Sequence, residues 1–307
     1  MATKTLNAKG VNDRVLSRYA SILVDSTFKR SFGTDKELLK LFLEEIFPGR
    51  KIRDIHYTNT VSTNHDKQLH DSVFDVECVD ADTGERFTVE LQLDNQDFFY
   101  DRALFYGSLM IEKQLPKGVR VYDYPSVYVV SLQNFSMHNP EEGFMFRFAL
   151  HENKTNELMT DRLNFVFLEL PNARHYETPG ISMAEKICYT LGHMDSFENR
   201  PPELKEKFFE LLFNLMEIAN FAPDERVKYE HDMTTERDRL NQLDYARKVS
   251  LEKGREEGRE EGREEGREEG REEGLFTVAR NLLNMGMPLA DIAKATGLSE
   301  SQIQTLK

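Results

Sequence analysis

The sequence predicts an α/β or α+β domain that continues into a helical C-terminal extension. Helix-like and strand-like segments are mixed over residues 34–170, whereas the segments from residue 182 onward have helical patterns. A six-residue apolar run at residues 127–132 is typical of a strand that is buried on both faces. This mixture excludes a helical bundle and an all-β sandwich.

The predicted elements begin with a helix at Thr34 or Asp35, because either side chain can cap free amide groups, and that helix ends at Pro48. Three β-favouring runs and a second helix follow, at residues 52–60, 72–79, 87–93 and 98–115. Further strands are predicted at residues 127–132, 144–150 and 163–170. The remaining helices are predicted at residues 182–195, at residues 203–219 and from residue 223 onward.

Acidic residues outnumber basic ones, and the formal net charge is -14. Five of these net negative charges belong to a tandem Gly-Arg-Glu-Glu repeat at residues 254–273. The first 35 residues carry a balance of +3 instead. A basic nucleic-acid coat over the whole surface is therefore excluded, whereas a local basic contact is not.

Neither a secretory signal nor a membrane span is visible in the sequence. The first ten residues are polar, and no stretch approaches the ~20 apolar residues that a spanning helix needs. Cys78 and Cys188 cannot form a disulfide framework, and His65 and His70 have no second ligand pair for zinc nearby. We therefore expect a cytoplasmic protein with reduced cysteines and no membrane partner.

The second and third predicted strands each have one apolar face and one polar face. Apolar residues fill the even positions of residues 74–78 and the odd positions of residues 87–93, so antiparallel partners must have numbers with an odd sum. A four-residue loop between the strands satisfies this condition and places Asp75 opposite Glu90. A three-residue loop with Gly84 in a bulge would instead put Asp75 and Glu90 on opposite faces.

In the first register, Asp75, Glu90 and Gln92 share one face of the sheet. The Cβ atoms of the two facing acids would lie roughly 4.5–5.5 Å apart, where like charges destabilise a sheet. A divalent cation would neutralise them, and carboxylate and carbonyl oxygens are the ligands that Mg²⁺ prefers. Such an ion can activate a water molecule and stabilise charge on a phosphodiester. The residues alone leave open an ordinary solvent-facing hairpin.

The same residues carry a resemblance to a known family. Residues 73–76 (Val-Phe-Asp-Val) and 89–92 (Val-Glu-Leu-Gln) resemble the core of the PD-(D/E)XK nucleases. Residues 25–33 and 101–106 are similar to the recombination-promoting nuclease and transposase branch of that superfamily. Single positions of the same pattern follow at Gln114, Gly118, Tyr122 and Pro125. The resemblance covers residues 25–135 closely and implies a restriction-endonuclease-like α/β core, a mixed sheet flanked by helices.

The resemblance implies a Mg²⁺-dependent endonuclease that hydrolyses double-stranded DNA in recombination or mobile DNA, with Mn²⁺ or another divalent ion as a substitute. It makes Asp75 and Glu90 the metal ligands and Gln92 the third catalytic residue. Gln92 stands where the superfamily usually has lysine, although this branch commonly carries glutamine there; a neutral amide dipole replaces a positive charge. The alternative is a DNA-binding or protein-interaction module that keeps the fold without efficient chemistry.

Four further side chains are candidates for the same site. Lys29 and Arg102 are candidates for contacts with DNA phosphates, because phosphate binding dominates affinity for DNA. Glu44 or Glu45 could supply a further carboxylate, as in some relatives. Each of the four is otherwise a charge of the protein surface, and the residues alone leave this open.

The C-terminal third contains the repeat and a compact last segment. Residues four apart within the repeat carry like charges, and the six glycines from Gly254 to Gly274 disfavour a helix, so we expect a semi-flexible solvated spacer rather than a dimerisation rod. Residues 289–306 fit a helix-turn-helix with Gly297 at the turn, and a small helical cap or oligomerisation element is the alternative. In the second helix of this motif, Gln302 and Gln304 are candidates for reading DNA.

These patterns predict five segments: a basic segment at residues 1–24, a nuclease-like domain at 25–200, a helical extension at 201–253, the spacer at 254–274 and the helix-turn-helix-like segment at 275–307. The predicted partners are double-stranded DNA and a second copy of the chain, which would associate through the C-terminal helices.

Overall fold

The computed structural model describes residues 17–58, 75–115, 118 and 120–306. The chain divides into two compact units, residues 1–235 and residues 236–307, which are described in turn. Parts of two predicted strands, residues 59–60 and 72–74, lie outside the described residues, as do His65 and His70.

The first unit contains a six-stranded mixed sheet with the order β1-β2-β3-β4-β6-β5. Its strands are β1 (Ile55–Tyr57), β2 (Val76–Asp80), β3 (Arg86–Gln92), β4 (Val127–Gln133), β5 (Met145–His151) and β6 (Leu158–Glu169). The neighbouring strands β3, β4 and β6 are parallel, whereas the other pairs are antiparallel. The predicted α/β fold with a mixed sheet is confirmed. β6 begins before its apolar run, because Leu158 and Thr160 near its start pair with β5.

The helices of this unit are α1 (Asp25–Phe32), α2 (Lys36–Ile46), α3 (Phe99–Glu112), α4 (Met183–Gly192), α5 (Lys207–Met216) and the first part of α6 (Pro223–Asn284). The Asp35 side chain caps α2 as predicted, since it accepts a hydrogen bond of 2.8 Å from the backbone of Leu38. α1 was not predicted as a helix. It has only eight residues, too few for a helical period to stand out.

The larger core lies on one face of the sheet, under helices α1, α2, α4 and α5. The alternating apolar residues of the hairpin belong to it, namely Val76, Cys78, Phe87 and Val89. β4 is buried along its whole length, as its apolar run predicted. Because side chains alternate along a strand, the residues between these four point to the opposite face.

Helix α3 covers that opposite face of the sheet. Its buried residues Phe99, Ala103 and Met110 pack with Val129 and Phe165 of the central strands. The helix also approaches the sheet closely at Gly107, where a Cβ atom would lie 2.5 Å from Leu163 Cδ1. Lack of a side chain at Gly107 therefore sets the distance between α3 and the strands beneath it.

A smaller cluster fixes the beginning of α6 in the first unit. Ala20, Val24 and Phe221 pack around Tyr229, whose hydroxyl accepts a hydrogen bond of 3.1 Å from the backbone of Ser21. The chain that precedes α1 is thereby joined to the helix that follows α5.

The second unit consists of the rest of α6, followed by α7 (Leu289–Thr296) and α8 (Glu300–Gln304). α6 continues through the whole Gly-Arg-Glu-Glu repeat, and every residue there is exposed. The expectation of a semi-flexible spacer differs from this continuous helix. Arg and Glu are strong helix formers, and the first Glu of each of the first four units attracts the Arg three residues later, which offsets part of the cost of the glycines.

Three buried residues, Ala279, Ile292 and Ile303, join the last three helical segments. Gly297 ends α7 with a φ of +76°, a conformation that favours glycine. Ser299 then caps α8 in a capping box with Gln302. Among the residues that the structure describes, none of the helices is both long enough and apolar enough to span a bilayer.

The close approach of α3 predicts that Gly107→Val lowers the free energy of unfolding by about 1–3 kcal/mol, because the branched side chain overlaps Leu163. Denaturant unfolding of the full chain measures this loss. Gly258→Val is the matched control, since a Cβ atom at Gly258 meets no other atom. Equal stability of the two variants would contradict the close packing of α3.

Candidate functional site

The pairing of β2 with β3 places two acids opposite each other at the end of the hairpin. Val76 pairs with Val89 and Glu77 pairs with Thr88, so continuing this register puts Asp75 opposite Glu90. The predicted register is confirmed. The backbone N–H of Asp75 donates to Glu90 Oε1 at 3.3 Å, and the N–H of Leu91 donates to Asp75 Oδ2 at 2.8 Å. Each carboxylate therefore accepts a hydrogen bond from the opposite strand.

Glu90 is buried and only 4% exposed, whereas Asp75 is half-buried. Burial and the neighbouring Asp75 raise the pKa of Glu90 to about 8, although Thr88 Oγ1 donates a hydrogen bond of 2.7 Å to it. Burial also raises the pKa of Asp75, and its hydrogen bond from Leu91 opposes this only in part. The pair thus resists carrying two negative charges at neutral pH.

Gln92, the last residue of β3, lies on the same face two residues beyond Glu90. Its Oε1 atom accepts a hydrogen bond from Arg102 Nη2, while Arg102 Nη1 donates to Gln96 Oε1 at 2.7 Å. Arg102 belongs to α3, and its positive charge lowers the pKa values of Asp75 and Glu90, against the larger effect of burial. The structure therefore brings Gln92 and Arg102 together with the two acids.

Helix α1 brings a second positive charge to these acids. Lys29 Nζ lies 2.8 Å from Asp25 Oδ1, one helical turn away. Burial disfavours the charged Lys29 ammonium, but the hydrogen bond to Asp25 and the attraction of Asp25, Asp75 and Glu90 outweigh it, so its pKa is raised. Asp25 also acts on Asp75 and raises the pKa of that acid. Sequence reasoning missed this role of Asp25, although its i,i+4 spacing to Lys29 was a visible signal.

Tyr106 is a further residue near the two acids, and sequence reasoning assigned it no role in the site. It lies one turn after Arg102 on α3. Burial raises the pKa of its hydroxyl, and the charges of Glu90 and Asp75 add to that effect. Arg102 and Tyr106 thus extend the same side of α3 toward the hairpin.

Glu44 and Glu45, the two candidates for a further carboxylate at the site, form their contacts away from the hairpin acids. Glu44 Oε1 accepts a hydrogen bond of 2.8 Å from the backbone of Ile52, which holds the chain after α2. Burial, Glu44 and Glu206 raise the pKa of Glu45, and neither hairpin acid contributes. Neither contact brings these residues to the hairpin acids, which favours the alternative that the sequence left open, two ordinary charges of that helix.

The donor set fits a hard divalent cation. Among the described residues, no group of three or more His, Cys, Asp or Glu side chains is placed to hold a metal ion. Mg²⁺ is usually bound by one or two carboxylates and keeps several water molecules, so Asp75 and Glu90 suffice, with the Gln92 amide beside them. A cation between the two acids would also stabilise their charged forms against burial, which raises both pKa values, and against the effect of Asp75 on Glu90.

These pKa shifts predict that stability falls as pH rises when divalent ions are removed. Glu90 has an ordinary pKa of 4.5 and a folded-state pKa of about 8. The stability that protonated Glu90 contributes to the fold is therefore fully present below pH 4.5 and is lost as pH rises through about 8. Denaturant unfolding in EDTA between pH 5 and pH 9 measures the slope. We expect Glu90→Gln to reduce it and the exposed-site control Glu112→Gln to leave it unchanged. An equal slope in wild type and Glu90→Gln would show that Glu90 is not the titrating group.

Comparisons with known proteins identify the family to which the chain belongs. No curated protein and no solved structure matches the chain. The family model of the Rpn/YhgA-like nuclease family, C-terminal HTH domain, matches residues 272–307, which favours the helix-turn-helix over a simple helical cap. The model of the PD-(D/E)XK nuclease family transposases matches residues 22–246, a segment that contains the whole sheet and the acidic hairpin. The chain therefore belongs to the PD-(D/E)XK nuclease family transposases.

Proposed function

We propose that this protein is a divalent-cation-dependent endonuclease that hydrolyses phosphodiesters of double-stranded DNA. The observation that supports this most directly is the facing pair Asp75 and Glu90, whose pKa values are raised by burial. A buried pair of acids that repel each other is costly for the fold, and a bound cation offsets that cost. Family membership adds the class of reaction, nucleolytic cleavage.

In the proposed reaction, Asp75 and Glu90 hold Mg²⁺ or Mn²⁺. Such an ion, when bound, increases the acidity of a water molecule and stabilises negative charge on the phosphate. Gln92 Oε1 already accepts a hydrogen bond from Arg102. In this proposal the Gln92 amide N–H groups therefore act as donors toward the water or the phosphate.

Arg102 compensates in this proposal for the lysine that Gln92 replaces. Its guanidinium binds Gln92 directly, and its charge acts on both acids. Lys29 adds a second positive charge from α1. A lysine at position 92 would supply positive charge near the developing phosphorane. In this proposal, residues of the neighbouring helices α1 and α3 supply that charge instead.

The DNA contact is local in this proposal, because the chain as a whole is acidic. Lys29 and Arg102 border the acids, and the helix-turn-helix match supports a second contact at the C-terminal segment. A few phosphate contacts give weak binding that depends strongly on salt. A role in recombination or in mobile DNA follows from the family description and belongs to the same proposal.

The endonuclease proposal predicts that Asp75→Asn reduces Mg²⁺-dependent nicking of supercoiled plasmid by more than about 100-fold, because the ion loses a ligand. Agarose electrophoresis of the plasmid over time measures nicking. Asp82→Asn is the matched control, since Asp82 lies in the hairpin loop, where its carboxylate forms an exposed ion pair of 3.5 Å with Arg53.

The control should nick at the wild-type rate. If wild-type protein leaves plasmid intact with Mg²⁺ and with Mn²⁺ while still binding DNA, the binding-module alternative is correct instead.

The C-terminal segment gives a separate prediction about which glutamine contacts DNA. Both glutamines are exposed, but Gln302 Oε1 accepts a hydrogen bond of 3.0 Å from the Ser299 backbone and is engaged in capping. We expect Gln304→Ala to weaken duplex binding by about 1–3 kcal/mol, measured by fluorescence anisotropy at fixed salt. Gln302→Ala should instead reduce helix stability. Unchanged affinity of the Gln304 variant would place the DNA contact on another surface.

A further inference from the structure

Strand β4 carries two buried polar side chains that have no hydrogen-bond partner among the described residues. Ser131 is 3% exposed and Gln133 is fully buried. The Oγ atom of Ser131 and both polar atoms of the Gln133 amide lack partners. Leaving such a group unpaired costs about 1–3 kcal/mol, and folded proteins generally supply a partner or an ordered water molecule.

The register of β3 with β4 places these two side chains beside the candidate site. Glu90 pairs with Ser131, and Gln92 pairs with Gln133. Paired residues of parallel strands point to the same face, and neighbouring strands lie about 4.7–4.9 Å apart. The two unpaired side chains therefore stand next to a proposed metal ligand and next to the proposed catalytic amide.

The protein groups that flank Gln133 are already engaged with other partners. Gln92 accepts its hydrogen bond from Arg102. On the other side, Gln133 pairs in register with Glu169, whose carboxylate lies 2.6 Å from His138 Nδ1 and accepts a bond of 2.7 Å from Asn172. Gln133 thus lies between the Arg102–Gln92 pair and the Glu169 network and belongs to neither.

We propose that Ser131 and Gln133 bind the water molecules that surround the cation held by Asp75 and Glu90. This inference rests on the proposed metal site. Mg²⁺ keeps several of its water molecules when only two carboxylates bind it, and those waters need donors and acceptors from the protein. A serine hydroxyl and a glutamine amide can act as both. Binding of these water molecules would then explain why two unpaired polar side chains, which cost the fold stability without the ion, are found in β4.

Calorimetric titration of Mg²⁺ and Mn²⁺ into the full chain tests this role without any cleavage step. We expect Ser131→Ala and Gln133→Met each to weaken cation binding by about 10–100-fold, the usual effect of removing groups that support a metal site. Thermal unfolding in EDTA should show both variants at least as stable as wild type, because each substitution removes an unpaired buried polar group.

Ser31→Ala is the matched control, since Ser31 is a buried serine whose hydroxyl already donates to the carbonyl of Phe28 at 2.9 Å. It should lose stability and keep wild-type cation affinity. Gln133→Glu provides an independent variant of nearly equal size, and its carboxylate should tighten cation binding. The proposal is overturned if Ser131→Ala and Gln133→Met keep wild-type cation affinity, or if Gln133→Glu fails to tighten it.

The same titration separates this inference from the proposed function. If the wild-type chain binds neither Mg²⁺ nor Mn²⁺, the metal site and the role of Ser131 and Gln133 fail together. If the wild-type chain binds a cation, the two variants bind it more weakly and plasmid stays intact, the inference holds and the endonuclease proposal fails.

Discussion

The antiparallel register of β2 with β3 is the constraint on which the candidate site depends. Val76, Cys78, Phe87 and Val89 fill the larger core, and burial of each such side chain is worth about 1.5–3 kcal/mol. A slip of one residue would move all of them out of the larger core to the opposite face of the sheet, so the core holds the register firmly. The same register leaves the facing acids no alternative position. Apolar burial on one face of the hairpin thus sustains an electrostatic repulsion on the other.

Positive charge reaches these acids from helices on both sides of the sheet. α1 belongs to the layer that packs on the larger core and brings Lys29, whereas α3 covers the opposite face and brings Arg102. Neither charge belongs to the hairpin itself. The arrangement lets a chain with a net charge of -14 gather positive charge at one place, which is consistent with the local DNA contact proposed above.

Alternation along the strands predicted one apolar and one polar face for each strand, because period-two patterns report directly on burial. The loop length, which decides whether Asp75 faces Glu90, was left open by the sequence and is fixed by the observed pairing. The helices at α1 and in the repeat were not predicted. α1 is too short to show a helical period of apolar residues, and the repeat has no apolar residues that could form such a pattern. Glu44 shows a different limit, because its bond to the Ile52 backbone depends on how the chain turns after α2. The unpaired amide of Gln133 was equally inaccessible, since a sequence pattern predicts a face but no hydrogen-bond partner.

The exposed repeat within α6 has a consequence for how this chain can vary. Since every residue of the repeat is exposed, no buried contact depends on how many Gly-Arg-Glu-Glu units are present. One unit adds about 6 Å of helix and no apolar surface. Tandem identical units are therefore a segment in which length can change by duplication or loss while the packed cores stay the same, so natural chains that differ only in unit number should fold alike.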